Sequence, residues 1–280
     1  MKRIATAAIL VPLVLVLVFL GPRWHSLFTV AVAVVAALAG WEYLGLAQHR
    51  GAKPPRIAVA VALLLLFAGN YEWPDSTPAI FGALNLCLLI LCAFRGQVEQ
   101  VLADASASIF CMFYVGSTLL ALPSLHEQTN GPSLVAFLFC VVWAGDSVAL
   151  YVGRALGRHK LAPRLSPGKT WEGSLGSVAG SLIAAGILLE LANYLQAHDS
   201  AVLSFPDAAI YWLGLAVVVN IAAQVGDLVE SAIKRSAGVK DSGSLLPGHG
   251  GVLDRIDALL LALPVAFVLF LAFGSKFVQG

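Results

Sequence analysis

The polar stretch of the sequence with the most reactive side chains runs from Asp227 to Asp257. It supplies three carboxylates: Asp227, Asp254 and Asp257. Hard carboxylate oxygens suit Mg²⁺, which proteins bind through one or two carboxylates together with substrate phosphate. The stretch also supplies four cations that can bind phosphate oxygens: Lys234, Arg235, Lys240 and Arg255. Its glycine-rich segment, Pro247-Gly248-His249-Gly250-Gly251, lets the backbone approach a ligand closely. Together these residues indicate a metal-assisted phosphoryl or nucleotidyl transfer.

A simpler interpretation of the same residues stays open. Lysines and arginines are expected at the cytoplasmic face of a membrane protein whatever its function. Asp227 and Asp254 would then be helix-terminal residues paired with those cations, and Asp254 and Asp257 would stabilise the start of the next helix through its dipole. His249 taken alone is more often structural than catalytic.

A second polar stretch, 158–172, leads directly into an apolar run. Its Gly168-Lys169-Thr170 matches the end of a Walker A motif, but the glycine required at position 163 is replaced by Pro163, and we expect no strand before it. We therefore predict that Ser166 to Thr170 forms a turn at a helix N-terminus. Such a turn is either an anion site or a plain capping turn.

Several polar side chains lie within the apolar runs. Asp146 is a candidate functional residue because a carboxylate inside the membrane is costly. Glu42 is either a ligand-facing acid or a structural residue whose side chain snorkels to the interface, and we favour the structural interpretation for Glu42 and for Glu190. Four polar residues recur at helical spacing and should face the bundle interior or a wet cavity: Asn220, Gln224, Asp227 and Ser231.

The composition assigns these residues to an integral membrane protein. Apolar residues make up 59% of the 280 residues and charged residues 12%, whereas charged residues form about 25% of a soluble domain. Disordered, fibrous and secreted disulfide-rich classes are excluded. The net charge of +1 gives no indication of a nucleic-acid partner. The four cysteines lie in apolar runs without a CxxC pair, so we predict neither a disulfide framework nor a zinc site.

Nine apolar runs predict membrane-spanning helices, since about 20 apolar residues cross a bilayer. They are 4–20, 26–47, 57–70, 78–94, 108–123, 133–152, 173–195, 208–226 and 257–274. The third to fifth are short, and one of them could be re-entrant. We predict an all-α, polytopic transmembrane helical bundle that forms one integral membrane domain over 1–280. Its two long polar loops are 153–172 and 227–256.

The distribution of lysine and arginine orients the predicted bundle. With the N-terminus in the cytoplasm, all of the 17 Lys and Arg residues except Arg23 and Lys276 fall on the cytoplasmic side. This agrees with the positive-inside rule, whereas the inverted topology does not. Both polar loops are then cytoplasmic.

The stretch from Ser231 to Asp257 resembles the signature of the phosphatidate cytidylyltransferases, also called CDP-diacylglycerol synthases. That pattern reads S-x-apolar-K-R, then K-D, then apolar-P-x-H-G-G-apolar-x-D-R-apolar-D. It is matched with the required spacing from Ser231, Lys234 and Arg235 through Lys240 and Asp241 to His249, Gly250, Gly251, Asp254, Arg255 and Asp257. The segment 160–171, K-L-A-P-x-x-S-P-G-K-T-W, is typical of the same family. After Asp146-Ser147 the family usually has a small residue and Ala-Tyr, whereas this chain has Val148-Ala149-Leu150 and then Tyr151.

The resemblance implies that the protein transfers the cytidylyl group of CTP to phosphatidate and releases pyrophosphate. It implies Mg²⁺ on Asp227 and Asp254, with a second cation nearby as an open alternative. The phosphates of CTP and lipid are assigned to Lys169, Lys234, Arg235, Lys240 and Arg255. His249, Gly250 and Gly251 would close around the nucleotide, while Asp241 and Asp257 orient their neighbours. Further substrate-binding candidates are Asp146, Ser166, Gly168, Thr170 and Ser231. The resemblance also implies a homodimer in a bacterial inner membrane, with its active site facing the cytoplasm.

Three other functions remain as alternatives. A transporter would place polar groups near the bilayer midplane, often in two related halves, and the sequence shows no such repeat. A CTP-dependent lipid kinase would use the same nucleotide but transfer its γ-phosphate. A structural membrane scaffold leaves the stretch from Asp227 to Asp257 unexplained.

Overall fold

The computed structural model describes residues 12–20, 24–206, 208–245 and 250–277, with side chains up to 272. The described chain is helical apart from one small antiparallel ribbon. The first helices are α1 (12–19), α2 (His25–Gln48), α3 (Arg56–Glu72), α4 (Thr77–Arg95), α5 (Val101–Cys111) and α6 (Thr118–His126). They are followed by α7 (Gly131–Leu156), β1 (Lys160–Ala162), β2 (Ser166–Thr170), α8 (Trp171–Ala197), α9 (Ala209–Ser236) and α10 (Leu253–Phe277). The predicted all-α class is confirmed.

Seven helical segments of the described chain are long and apolar enough to cross a membrane. They are His25–Gln48, Pro74–Arg95, Val98–His126, Gly131–Leu156, Trp171–Ala197, Ala209–Ser236 and Leu253–Ala272. The predicted count of nine is therefore not confirmed. Helix α3 has 17 residues, which at about 1.5 Å per residue is shorter than the ~30 Å hydrocarbon core. The predicted run 4–20 lies mostly outside the described residues.

Two predicted boundaries were wrong. Helix α9 continues to Ser236, so the first part of the predicted loop 227–256 is helical. Residues 227–236 contain good helix formers and no glycine or proline, and charged side chains alone do not end a helix. The helix stops just before Gly238, whose φ of +76° is readily adopted by glycine. The fifth run is also longer than predicted, because a π-helical stretch, Met112–Ser117, joins α5 to α6.

The described chain forms two compact units. The first contains residues 24–123 and 233–256. Its core is apolar, with α2 packed against α3 around Phe28, Leu63 and Leu66. Gly40 allows the close approach of these helices, because a Cβ there would lie 2.6 Å from Leu63 Cδ1.

The second unit contains residues 12–20, 124–232 and 257–277. Helix α7 packs along α8 at close range. A Cβ at Gly176 would lie 2.8 Å from Val152 and one at Gly180 would lie 2.7 Å from Val148, so these small residues permit the contact. An aromatic contact between Phe137 and Trp212, 5.1 Å between ring centroids, fills the core near the other end of α7.

The polar stripe predicted on α9 faces the interior of the second unit. Asn220 is 1% exposed and donates hydrogen bonds to the hydroxyls of Ser177 and Ser181, each at 2.8 Å. Gln224 continues the network by donating to Asn220 Oδ1 at 2.7 Å and accepting from Ser174 at 2.5 Å. For Asn220 and Gln224, the expectation that the stripe faces the bundle interior is confirmed, and the network fixes α9 against α8.

Candidate active site

The predicted site residues fall in both units, and each unit brings one aspartate and one lysine together. In the first unit, Lys234 Nζ lies 2.6 Å from Asp254 Oδ1. The pair is largely shielded, since the side chains of Lys234 and Asp254 are 14% and 6% exposed. A shielded ion pair needs further hydrogen bonds to offset the loss of solvation.

Backbone groups supply those hydrogen bonds to Asp254. The N–H of Ser242 donates to Asp254 at 3.0 Å, and the N–H of Gly251 donates to Asp254 Oδ2 at 2.7 Å. We call Lys234, Ser242, Gly251 and Asp254 the Asp254 cluster. Asp254 stands in the first turn of α10, where a carboxylate is also favoured by the helix dipole. Asp254 therefore stands at a helix start and is paired with a cation, as the simpler interpretation expected.

Gly250 explains part of the glycine-rich signature. Its φ is +80°, and a Cβ there would lie 2.5 Å from Asp254 Oδ2. Any other residue would therefore be strained and would also displace the carboxylate. His249 lies outside the described residues, as do Pro247 and Gly248.

In the second unit, Lys169 Nζ lies 2.6 Å from Asp227 Oδ2. This pair is more open, with side-chain exposures of 25% for Lys169 and 33% for Asp227. Ser231, one turn further along α9, donates to Asp227 Oδ1 at 3.4 Å. Asp146 on α7 lies close enough to interact electrostatically with Asp227 and Lys169. We call Asp146, Lys169, Asp227 and Ser231 the Asp227 cluster, in which Asp146 lies within electrostatic range of the ion pair between Lys169 and Asp227.

A short β-ribbon positions Lys169. Strands β1 and β2 pair antiparallel, with Lys160 opposite Thr170 and Ala162 opposite Ser166. The predicted turn over 166–170 is therefore wrong: Ser166, Gly168 and Lys169 lie in an extended strand, and a strand does precede them. The predicted helix start is confirmed, because the Thr170 hydroxyl accepts a hydrogen bond from the Gly173 N–H at 3.1 Å as the N-cap of α8.

The sequence analysis did not identify Glu172, which binds the residues just before the first strand of this ribbon. Glu172 accepts from the backbone N–H of Arg158 at 3.1 Å and lies 2.7 Å from His159 Nδ1. The Trp171 N–H donates to the His159 carbonyl at 2.9 Å. An acidic residue in the first turn of a helix was a usable signal, but the pattern did not indicate which N–H groups it would bind.

Most of the remaining predicted site residues are exposed. Arg235, Lys240, Asp241 and Arg255 are exposed. Asp257 accepts from the N–H of Ala258 at 2.7 Å, a local contact in the first turns of α10. Exposed cations in the segment that carries Asp254 leave several phosphate-binding groups accessible to a ligand.

Glu42 does not take the snorkelling position that the favoured structural interpretation predicted. Its side chain does not snorkel to the interface, since the residue is 4% exposed. It accepts hydrogen bonds from Ser242 and from the N–H of Leu253. The sequence showed an acid within an apolar run, but not that it lies beside the signature segment.

The chemistry of the carboxylates is compatible with Mg²⁺. The described residues contain no group of three or more His, Cys, Asp or Glu side chains arranged to hold a metal. Mg²⁺ usually keeps water and substrate phosphates among its ligands and needs one or two protein carboxylates. Asp227 and Asp254 supply such carboxylates, each next to a lysine that can also bind phosphate.

The fold and these clusters define a class of protein: a multi-pass α-helical membrane protein with two lysine–aspartate ion pairs and several exposed cations. The model of the cytidylyltransferase family matches residues 1–273. The chain belongs to this family, which confirms the resemblance inferred from Ser231 to Asp257.

Relatives match over nearly the whole chain. The phosphatidate cytidylyltransferase of Haemophilus influenzae is 32% identical, covering 94% of this chain and 96% of the relative. That of Brucella abortus is 35% identical over 99% of this chain and 94% of the relative. That of Pseudomonas aeruginosa is 34% identical over 98% of this chain and 97% of the relative. The match therefore extends well beyond the two signature segments.

Proposed function

We propose that the protein is a phosphatidate cytidylyltransferase, which converts CTP and phosphatidate into CDP-diacylglycerol and pyrophosphate in phospholipid biosynthesis. The observation that carries this proposal is the family match over residues 1–273, with relatives of that name at 32% and 35% identity. The Asp254 cluster agrees with it, because the fold brings the signature residues Lys234, Gly251 and Asp254 into contact.

The reaction needs no covalent enzyme intermediate. A phosphate oxygen of phosphatidate attacks the α-phosphorus of CTP, the bond from that phosphorus to the α–β bridging oxygen breaks, and pyrophosphate leaves. The protein must align the two phosphates and stabilise negative charge on the leaving group. Alignment and fixed charges can supply most of the rate enhancement in such a transfer.

Lys169 and Lys234 are the main candidates for binding substrate phosphates. Lys169 and Lys234 each form an ion pair with an aspartate. We assign them to phosphate oxygens of CTP and phosphatidate, together with the exposed Arg235, Lys240 and Arg255. His249, Gly250 and Gly251 are assigned to the nucleotide, and Asp241 and Asp257 orient neighbouring groups. Asp146, Ser166, Gly168, Thr170 and Ser231 remain the other substrate-binding candidates, with Thr170 acting through the start of α8.

We assign Mg²⁺ to Asp227 and Asp254. Bound Mg²⁺ would neutralise charge on the pyrophosphate leaving group. Asp227 is the better exposed of the two carboxylates, and the lysine beside each would remain available to substrate phosphate. A second cation remains part of this proposal.

The finer topology is also a proposal. We propose nine spans in one integral domain, with the N-terminus and the active site on the cytoplasmic side of a bacterial inner membrane. The lysine and arginine bias supports this orientation. Phosphatidate tails would remain in the bilayer while the headgroup reaches the site. A homodimer is proposed from the family resemblance alone.

The reaction is tested with purified protein in detergent, phosphatidate, Mg²⁺ and CTP labelled separately on its α- and γ-phosphates. We expect the α-label in the lipid and the γ-label in pyrophosphate. A γ-label in the lipid would instead identify a lipid kinase. If folded protein binds CTP and transfers neither label, cytidylyl transfer is wrong and a transporter is the better hypothesis.

A further inference from the structure

Glu42 is a buried carboxylate with an unexpected set of contacts. It stands on α2 and is 4% exposed, within a helix long and apolar enough to cross the membrane. Burying a carboxylate is costly unless strong hydrogen bonds offset the lost solvation. The groups that bind Glu42 therefore indicate what the residue does.

Both described hydrogen bonds of Glu42 reach the signature segment, and both go to one oxygen. Oε2 accepts from the Ser242 hydroxyl at 3.2 Å and from the Leu253 N–H at 2.8 Å. Oε1 has no hydrogen-bond partner among the described residues. Glu42 Oε2 therefore binds two residues, Ser242 and Leu253, that are separated by 11 positions along the chain.

Asp254 binds the same segment from the other side of Ser242. The Ser242 N–H donates to Asp254, while the Ser242 hydroxyl donates to Glu42. The Gly251 N–H donates to Asp254, and the Leu253 N–H, two residues later, donates to Glu42. Asp254 and Glu42 therefore both bind Ser242, and both also bind a backbone N–H within residues 251–253.

Glu42 also explains why two residues of this segment are glycines. A Cβ at Gly243 would lie 2.6 Å from Glu42 Oε1, and one at Gly251 would lie 2.3 Å from Oε2. The carboxylate occupies the space that side chains would need at both positions. Gly251 is thus required by its contact with a residue on α2.

We propose that Glu42 is a positioning residue for cytidylyl transfer, binding Ser242 and the Leu253 N–H so that Asp254 and the backbone of Gly250 and Gly251 are presented to the nucleotide. It acts through Ser242, Leu253 and Gly251 and does not touch substrate. The part of this inference that concerns catalysis rests on the proposed function. The part that concerns the segment does not.

The experiment compares Glu42→Ala, Glu42→Gln and the wild type by hydrogen–deuterium exchange and by steady-state kinetics. In Glu42→Ala we expect faster exchange in peptides covering 238–256, with peptides from α7 and α8 unchanged. Per folded molecule, kcat should fall by about tenfold to 100-fold, and KM for CTP should rise. Loss of folded protein alone would lower the rate without changing KM.

Glutamine provides the conservative rescue. Its side-chain oxygen can accept both hydrogen bonds that Oε2 accepts, so Glu42→Gln should recover most of the kcat that Glu42→Ala loses. If Gln is as impaired as Ala, negative charge matters more than the hydrogen bonds, and positioning is the wrong role. Glu190→Gln, an exposed acid on α8, is the matched control and should behave as wild type.

Ser242→Ala gives a second test, because it removes one of the two hydrogen bonds to Oε2. If Ser242 acts through Glu42, the double variant should be no worse than Glu42→Ala alone. Additive losses, or unchanged exchange over 238–256 in Glu42→Ala, would overturn the proposal. If wild-type protein makes no CDP-lipid, the proposed function fails while the exchange data still test whether Glu42 holds the segment.

Discussion

The Asp254 and Asp227 clusters contain the same ion pair in different surroundings. In both, a lysine Nζ lies 2.6 Å from an aspartate oxygen. Asp254 is 6% exposed and accepts two backbone N–H groups as well as its lysine. Asp227 is 33% exposed, and its one other described hydrogen bond is a 3.4 Å contact from Ser231.

This difference separates two roles for chemically identical residues. A carboxylate offers about four acceptor positions, and the described donors to Asp254 already take at least three. Asp254 therefore fixes the backbone at Ser242 and Gly251 whether or not it also binds a metal. Asp227 keeps more of its oxygen surface available to a ligand, and Asp146 adds negative charge beside it.

Asp254→Ala should give the largest loss of stability. It removes the acceptor that Lys234 shares with the N–H groups of Ser242 and Gly251, and breaking a shielded ion pair on one side costs about 3–5 kcal/mol. We expect a clearly lower Tm in detergent together with loss of transfer. An unchanged Tm would mean that Asp254 does not hold the loop, and the contrast between the clusters would disappear.

Gly250→Ala, next to the Asp254 cluster, should lower stability by less than Asp254→Ala. The positive φ costs about 1–3 kcal/mol for a non-glycine residue, and the new Cβ would displace the Asp254 carboxylate. Gly238→Ala is the matched control, because Gly238 has a φ of +76° with nothing within 4 Å of an added Cβ. Gly250→Ala should lower Tm and transfer more than Gly238→Ala; equal effects would show that backbone strain alone matters.

Lys169→Met should have the smallest effect on stability. A partly exposed ion pair such as that of Lys169 with Asp227 contributes about 1 kcal/mol or less, so Tm should change little. Loss of a phosphate-binding cation beside Asp146 and Asp227 should raise KM for CTP by about tenfold, equivalent to ~1.4 kcal/mol. Lys169→Arg retains the charge, so its KM for CTP should lie between those of the wild type and Lys169→Met. An unchanged KM in Lys169→Met would remove this lysine from the substrate site.

The sequence could predict which residues matter better than how they are held. Lys234, Gly251 and Asp254 were identifiable because a signature records residue types at fixed spacing. The role of Glu42 was not, because its partners Ser242 and Leu253 are about 200 residues away along the chain. Only the tertiary fold brings such residues together.

Helix boundaries and local conformation show a second limit. Apolar runs predicted the helices well where a polar segment interrupted them, as for α2. They failed for α9, where the helix continues past Asp227 into charged but helix-forming residues up to Ser236. The strand over Ser166–Thr170 was not predictable from its Pro and Gly content, because pairing with Lys160–Ala162 determines it.

The most direct test of the contrast between the clusters is cytidylyl transfer and Tm measured together in Asp227→Asn. Because Asp227 is one-third exposed and lies beside a second carboxylate, losing its charge should shift Tm by less than about 4 °C. Transfer from α-labelled CTP to phosphatidate should nevertheless fall by about 100-fold or more. A folded Asp227→Asn protein that retains near-wild-type transfer would contradict the assignment of Asp227 to the reaction, and a large fall in Tm would show that both clusters are structural.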